Sequence, residues 1–290
     1  MTTTLATPRP EDLPAVVATL ATWQRDGLPV QLHPGDLGWA WQIGAAALAP
    51  RVRTWHDGVG RLAVVGFLDG EGLVRLGLDP GRDDDEALAS AVAADLVDPG
   101  RGVLPDGAAA VEARLGQALH ASLVAHGWVD DEPWTPLVLD LAAPVEAPSS
   151  IRVEVVGPDL VDACVAVHTA GFERSRFTGE RWRTTAAGPA FADARCLLAR
   201  NEAGDAVATA TVWSAGAGRP GLIEPLSVAR DHRGQGHGRA LTVAAAAHLR
   251  ELGASSTTVA TPSANVGAVA TYRSAGMREL PQVRDLRRPV

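Results

Sequence analysis

The residues best placed to do chemistry fall in one run, Leu226-Ser227-Val228-Ala229-Arg230-Asp231-His232-Arg233-Gly234-Gln235-Gly236-His237-Gly238-Arg239. A strand-like, apolar start passes into a turn too rich in glycine for ordinary packing, and a helix-like segment follows. Glycine at 234, 236 and 238 removes the Cβ atoms that would keep consecutive backbone N–H groups from closing on an anion. The N-terminus of the following helix adds partial positive charge, and Arg233 and Arg239 flank the turn. That is the pattern of a phosphate cradle. A P-loop needs lysine, and all 26 basic residues of this chain are arginine. A dinucleotide fingerprint has Gly-x-Gly-x-x-Gly after the first strand of its domain; here Gly-x-Gly-x-Gly follows roughly the fourth.

Two further side chains suit proton transfer. Glu224 interrupts an apolar strand two residues before Leu226, hence on the same face, and Pro225 disrupts the ladder beside it. A carboxylate on such a strand can accept a proton from a bound nucleophile. Glu224 is the candidate base; a carboxylate that orients a neighbouring arginine or a water is the competing reading. His168 and Glu173 are reserve bases, whereas His232 and His237 belong to the loop and read as solvated or phosphate-side. Tyr272, the only tyrosine of the chain, lies seven residues after Asn265.

These residues resemble the GCN5-related N-acetyltransferases, whose signature is Arg/Gln-x-x-Gly-x-Gly/Ala; Arg233, Gly236 and Gly238 match it. The second family element is an Asn, a Tyr seven residues on, and a turn to Gly-Phe, which reads here from Asn265 through Tyr272 to Gly276-Met277. Met in place of the aromatic is a conservative apolar exchange. The specific resemblance covers about residues 195–280, and that of the first half is at the level of fold. It implies that backbone amides of Gly234, Gln235, Gly236, His237, Gly238 and Arg239 hold the pyrophosphate of acetyl-CoA. It also implies that the strand through Leu226, Ser227 and Val228 splays from its neighbour to take the pantetheine arm, with an amide polarising the thioester carbonyl. Asn265 would contact pantetheine, and Tyr272 would protonate the departing thiolate.

The elements that must position these groups read as a mixed α/β fold. Strands are expected at Ile151–Val156, Arg195–Ala199, Ala206–Ser214, Gly221–Val228, Ser256–Thr261 and near Val283–Leu286. Helices are expected from Asp159, a plausible N-cap, to Thr169, and over Arg239–Leu252 and Val266–Ala275. The first half echoes this order about 150 residues earlier: a hairpin at Arg61–Asp69 and Gly72–Leu78, then helices at Glu86–Leu96 and Ala108–Ala125. The linker-like Ala142–Ser150 separates them. We therefore expect two tandem acyl-CoA N-acyltransferase-like domains, each a mixed sheet flanked by helices: a degenerate one over residues 1–145 and a catalytic one over 151–290. The first half carries a net charge of −12 and the second +4. In the first, the run Asp83-Asp84-Asp85-Glu86 falls where the phosphate turn should be and reads as a solvated helix start or a cation site.

Function classes narrow accordingly. A net charge of −8 argues against general nucleic-acid binding. No apolar run is long enough to span a bilayer, and the N-terminus lacks a secretory pattern. Cys164 and Cys196 read as small buried hydrophobes in a reducing cytoplasm, and no zinc spacing appears, so no metal is expected. The expected reaction is direct acetyl transfer from acetyl-CoA, the acyl donor, to a primary amine of a small molecule, by a monomer or homodimer. Tandem members with a worn-out first half include mycothiol synthases, which acetylate a cysteinyl amine. That and an antibiotic-modifying enzyme are the nearest alternatives. A non-catalytic acyl-CoA sensor is the alternative from another class. Between His168 and Arg183, four arginines with Phe172, Phe177 and Trp182 hint at an acceptor bearing a carboxylate or phosphate; a solvated, helix-capping charge cluster accounts for them equally.

Overall fold

The computed structural model describes residues 3–146 and 148–289; the first two residues, Ala147 inside the expected linker, and Val290 lie outside the described part. In chain order the elements are β1 (Thr4–Ala6), α1 (Leu13–Trp23), α2 (Pro34–Ala40), α3 (Ala45–Leu48), β2 (Val52–His56), β3 (Leu62–Leu68), β4 (Leu73–Leu78), α4 (Glu86–Val97), β5 (Ala110–Glu112), α5 (Gln117–Ala125) and β6 (Val129–Asp140). They continue with β7 (Arg152–Val155), α6 (Val161–Gly171), α7 (Gly179–Ala186), β8 (Ala194–Arg200), β9 (Ala206–Ser214), β10 (Gly221–Val228), α8 (His237–Glu251), β11 (Ser256–Pro262), α9 (Val266–Ser274), β12 (Arg278–Glu279) and β13 (Val283–Arg287). Among the described residues no helix is long and apolar enough to cross a membrane.

Two compact units result. The first takes the chain up to His33, Ala45–Trp134 and the tail from Gln282; the second takes Pro34–Gly44 and Thr135–Pro281. A single cut near residue 145 therefore misses two exchanges. The α2 segment packs with the second unit, and β13 pairs with β5 and β6 of the first. The expected strand at the C-terminus is real, but its partners are Val111 and Trp134 rather than the strands nearest in sequence.

In the first unit β1 to β4 are antiparallel neighbours and β4–β5 is parallel. The β3–β4 ladder runs from Val64↔Leu78 to Leu68↔Val74 without interruption. Trp55, Val64, Leu76, Leu88 and Leu123 fill the core. The one misread element is Ala108–Ala125. A helix was expected there, but Ala110–Glu112 forms β5, paired in parallel with Leu73–Arg75.

The second unit repeats the order. β7 to β10 are antiparallel, β10–β11 is parallel, and helices follow β10 and β11 as they follow β4 and β5. Alternation along β8 sorts its two faces. Leu197 and Ala199 meet Leu241, Ala245 and Leu249 of α8, whereas Cys196 and Leu198 meet Cys164 and Val167 of α6 and Trp182 of α7. Asp159 is not the N-cap of α6; a 3-10 turn over Pro158–Leu160 intervenes, and the cap, Leu160, has no side-chain bond.

On the α6 face lies Trp213, 1% exposed, and over it lies α2. A Cβ on Gly35 would stand 2.5 Å from Trp213 Cγ, and one on Gly38 would overlap the indole ring and come 2.9 Å from Ala190 Cβ. The pair Gly35 and Gly38, one helical turn apart, thus lets α2 approach an indole closely. Gly38→Ala should destabilise the protein by about 1–3 kcal/mol through overpacking. Chemical denaturation checks this, and an unchanged midpoint would contradict the close approach.

Candidate active site

The glycine turn has the geometry its sequence requires. Gly234 and Gly236 adopt φ of +76° and +84°, in the left-handed region where a side chain is strained, and no heavy atom lies within 4 Å of where either Cβ would stand. Gly236 is the N-cap of α8, and being glycine it supplies no side-chain bond to the helix start. The first turn of α8 contains no acidic residue. The N–H groups that open a helix have no partner inside it, so this end presents donors and positive potential to open space. A Cβ on Gly238 would stand 3.1 Å from Thr271 Cγ2 of α9 and 3.4 Å from Val228 Cγ2, so the third glycine serves packing.

The flanking side chains mostly hold the loop. Arg233 Nη2 donates to the Gly171 carbonyl at 2.7 Å, tying the turn to the end of α6. Arg239 Nε donates to the Ser274 carbonyl at 2.8 Å, at the C-terminal end of α9. Gln235 Nε2 donates to the Asp231 carbonyl at 3.4 Å. His237 is buried, and burial first, then the nearby His232, lowers its pKa. Asn265 Oδ1 accepts from Ala268 N at 3.2 Å and caps α9. The arginines that drew notice in the sequence thus use part of their donors to tie the turn to neighbouring backbone, and the amides that open α8 are groups suited to an anion.

Strand β10 leads from this turn into the unit. The parallel ladder to β11 is registered at Gly221↔Thr257 and Leu222↔Thr258 and goes no further, so the two strands part beyond Leu222. On the other side Ala229 N donates to Val207 O, and strand alternation then turns the N–H groups of Val228 and Leu226 toward the parted edge. Ser227 lies on the opposite side of the pleat, 4% exposed, under the C-terminal end of α6; a Cβ on Gly171 would collide with its Oγ.

Where the strands part, β10 carries a β-bulge. Its register to β9 shifts between Ile223↔Val212 and Leu226↔Ala210, so Glu224 and Pro225 together oppose Thr211. The Glu224 carbonyl accepts from Trp213 Nε1 at 2.6 Å. Tyr272 of α9 is 8% exposed and clusters with Leu137, Val259, Met277 and Leu226. Burial, reinforced by the Glu224 carboxylate, pushes its phenol up to about 12. The two side chains singled out for proton transfer are thus close enough to act on each other, and the phenol keeps its proton across the neutral range.

The reserve bases fare differently. Glu173 is exposed and paired with Arg230 at 2.9 Å. His168 is buried, its Nδ1 2.9 Å from Ser175 Oγ, and burial lowers its pKa to about 4. Rings of Trp39, Phe172 and Phe177 surround it at 4.8–5.6 Å between centroids. Of the aromatics expected near the acceptor, Phe177 and Trp182 are core, and Phe172 stays 39% exposed. Trp39 and Trp213 were not foreseen in the site; the Gly35/Gly38 pair is the sequence signal that points to them.

The equivalent place in the first unit is closed. Asp85 caps α4, accepting from Leu88 N at 3.0 Å. Asp83 Oδ1 accepts from Gly116 N at 2.8 Å and Gln117 N at 3.2 Å, joining the starts of α4 and α5. A residual cavity of about 10 Å³ remains, lined by Leu78, Arg82, Asp83, Asp85 and Leu119 among others.

This chain is similar to several known proteins. The profile of the acetyltransferase (GNAT) family matches residues 163–277. A mycothiol acetyltransferase of Propionibacterium freudenreichii subsp. shermanii is 35% identical over 149 residues, which are 49% of this chain and 47% of that protein. The match thus spans about half the length of that curated relative. Among solved structures, a tandem GNAT protein from the clavulanic acid biosynthesis pathway superposes with a TM-score of 0.61 at 17% identity, covering 99% of this chain and 98% of that one. A GCN5-related N-acetyltransferase from Sphaerobacter thermophilus gives 0.57 at 20%, covering 99% and 95%. Fold, glycine turn and family profile fall together: over residues 163–277 this chain is similar to the acetyltransferase (GNAT) family.

Proposed function

We propose that the protein transfers acetyl from acetyl-CoA directly to a primary amine of a small molecule. The observation that carries this reading is the parted edge of β10, which runs from an uncapped helix start to Glu224 and Tyr272. Acetyl-CoA is the donor substrate, and the residues fit it. The open N-terminus of α8 with Gly234 and Gly236 suits its pyrophosphate, and the N–H groups of Leu226 and Val228 suit its pantetheine arm and thioester carbonyl. Glu224 takes the proton that the acceptor ammonium must lose before it attacks. Tyr272, held protonated by burial, gives its phenolic proton to the sulfur that departs. In this reading the first half binds no donor, because its own carboxylates fill the corresponding helix start. The free cysteines fit a cytoplasmic setting.

A second, narrower reading makes the acceptor a cysteinyl amine, as in mycothiol synthases, and the 35% identical relative favours it. The aromatic rings around His168 leave the acceptor class open to other amines. A panel of small amines, assayed for acetyl-CoA-dependent thiol release, tests the general reading. Amine-dependent release is expected; donor binding without it, across the panel, would favour an acyl-CoA sensor.

Two variants probe the roles. Tyr272→Phe should lower kcat by about 10²–10⁴-fold while the Kd for acetyl-CoA changes little; undiminished turnover would remove Tyr272 as the acid. Because the raised phenol stays protonated, the wild type should show no alkaline decline from Tyr272 below about pH 10. Glu224→Gln should depress the rate most at low pH and recover as pH approaches the amine's own pKa. A pH profile parallel to wild type would indicate that Glu224 is not the base.

A further inference from the structure

A β-bulge bends its strand and leaves the extra residue outside the ladder, so the direction of its side chain is set by whatever holds the backbone there. At Glu224 the bond that the indole of Trp213 makes to the carbonyl, 2.6 Å long, takes on that task. The indole itself is fixed from above. Gly35 and Gly38 of α2 lie against it so closely that no side chain fits between, and Phe191 stands edge-on at 6.1 Å. Trp39, next in sequence to Gly38, anchors the same helix among the rings of His168 and Phe177 at 5.6 and 4.9 Å. Arg181 Nη1 of α7 donates to Gln42 Oε1 at 3.3 Å and ties down the segment beyond. All of these groups belong to the second unit, although residues 34–44 come from the first half of the sequence.

We infer that the segment Pro34–Gly44 is a positioning element for Glu224, acting through the Trp213 indole N–H. The inference rests on the reading of Glu224 as the base. It gives the first half of the sequence a part in the chemistry of the second that requires no ligand site of its own. A hydrophobic plug of the same shape would serve packing equally well, so the N–H is what distinguishes the two roles. A buried indole whose N–H meets one backbone carbonyl contributes direction, since a hydrogen bond weakens steeply off its axis.

The test is a double-mutant cycle on the full chain. Trp213→Phe removes the donor and keeps an aromatic ring; replacement of Trp213 alone by benzothienylalanine keeps the full shape and covers the case in which Trp213→Phe does not fold. Both are measured with an active amine from the panel, with thermal midpoint and acetyl-CoA Kd as controls. The expected result is a fall in kcat on the order of 10-fold with acetyl-CoA Kd unchanged, concentrated at low pH as for Glu224→Gln. In the Glu224→Gln background the same replacement should cost less than about 2-fold, because nothing is left to position. Equal losses in both backgrounds, or a benzothienylalanine variant with wild-type kcat and pH profile, would overturn the inference while leaving the base assignment intact. If Glu224→Gln itself matched wild type, the base assignment would fail, and the positioning role with it.

Discussion

The N–H groups that open an α-helix lack partners within the helix, and something must meet them or they stay turned to solvent. The two halves of this chain answer that constraint in opposite ways. In the first unit the helix after the fourth strand begins at Asp85, whose carboxylate accepts from Leu88 N, and Asp83 does the same for the next helix. In the second unit the equivalent helix begins at Gly236, which has no side chain to offer, and the preceding turn is held open by left-handed backbone at Gly234 and Gly236. A self-capped helix is satisfied and stable; an uncapped one attracts an anion. The net charges of −12 and +4 on the two halves extend the same contrast to longer range.

A second contrast follows along the strand that feeds each helix. The β3–β4 ladder is regular throughout, whereas β9–β10 carries one extra residue at Glu224–Pro225. That residue opens the sheet beside the point where β10 leaves β11, turns a carboxylate out of the ladder, and brings it within electrostatic reach of Tyr272. Burial then keeps the phenol in its acid form while Glu224 supplies the opposite proton-transfer role in our reading. An uncapped helix, a parted sheet edge and a bulge are separate features of backbone, and all three occur on one strand and the turn that follows it. The chemistry proposed for this protein depends on their being consecutive.

Much of this was legible in the residues. The glycine turn declared its backbone, because other residue types are strained at those angles, and the strand before it kept its expected bounds at Gly221–Val228. Glu224 was conspicuous as a charge in an apolar strand beside proline, and Asn265 with Tyr272 by spacing. Side-chain partners were not legible. Arg233 and Arg239 read as anion contacts but bond to the Gly171 and Ser274 carbonyls, since a sequence does not say which acceptor an arginine reaches. Phe177 and Trp182 were among the residues that hinted at an acceptor site, but they fill the core with α6 residues. The exchanges of Pro34–Gly44 and β13 between units were hidden for a different reason: both are long-range pairings decided by packing, and only the small face made by Gly35 and Gly38 hinted at one of them.

The claim that one uncapped helix start makes one donor site per chain is open to a direct thermodynamic test. Calorimetric titration with acetyl-CoA should give a stoichiometry of one per chain, with binding abolished by Gly236→Glu, which strains the turn and sets a carboxylate where our reading places the phosphates. The same titration on Asp85→Gly, which uncaps the helix of the first unit, should still give one site. Two sites of comparable affinity in the wild type, or binding that survives Gly236→Glu with the protein folded, would contradict the account.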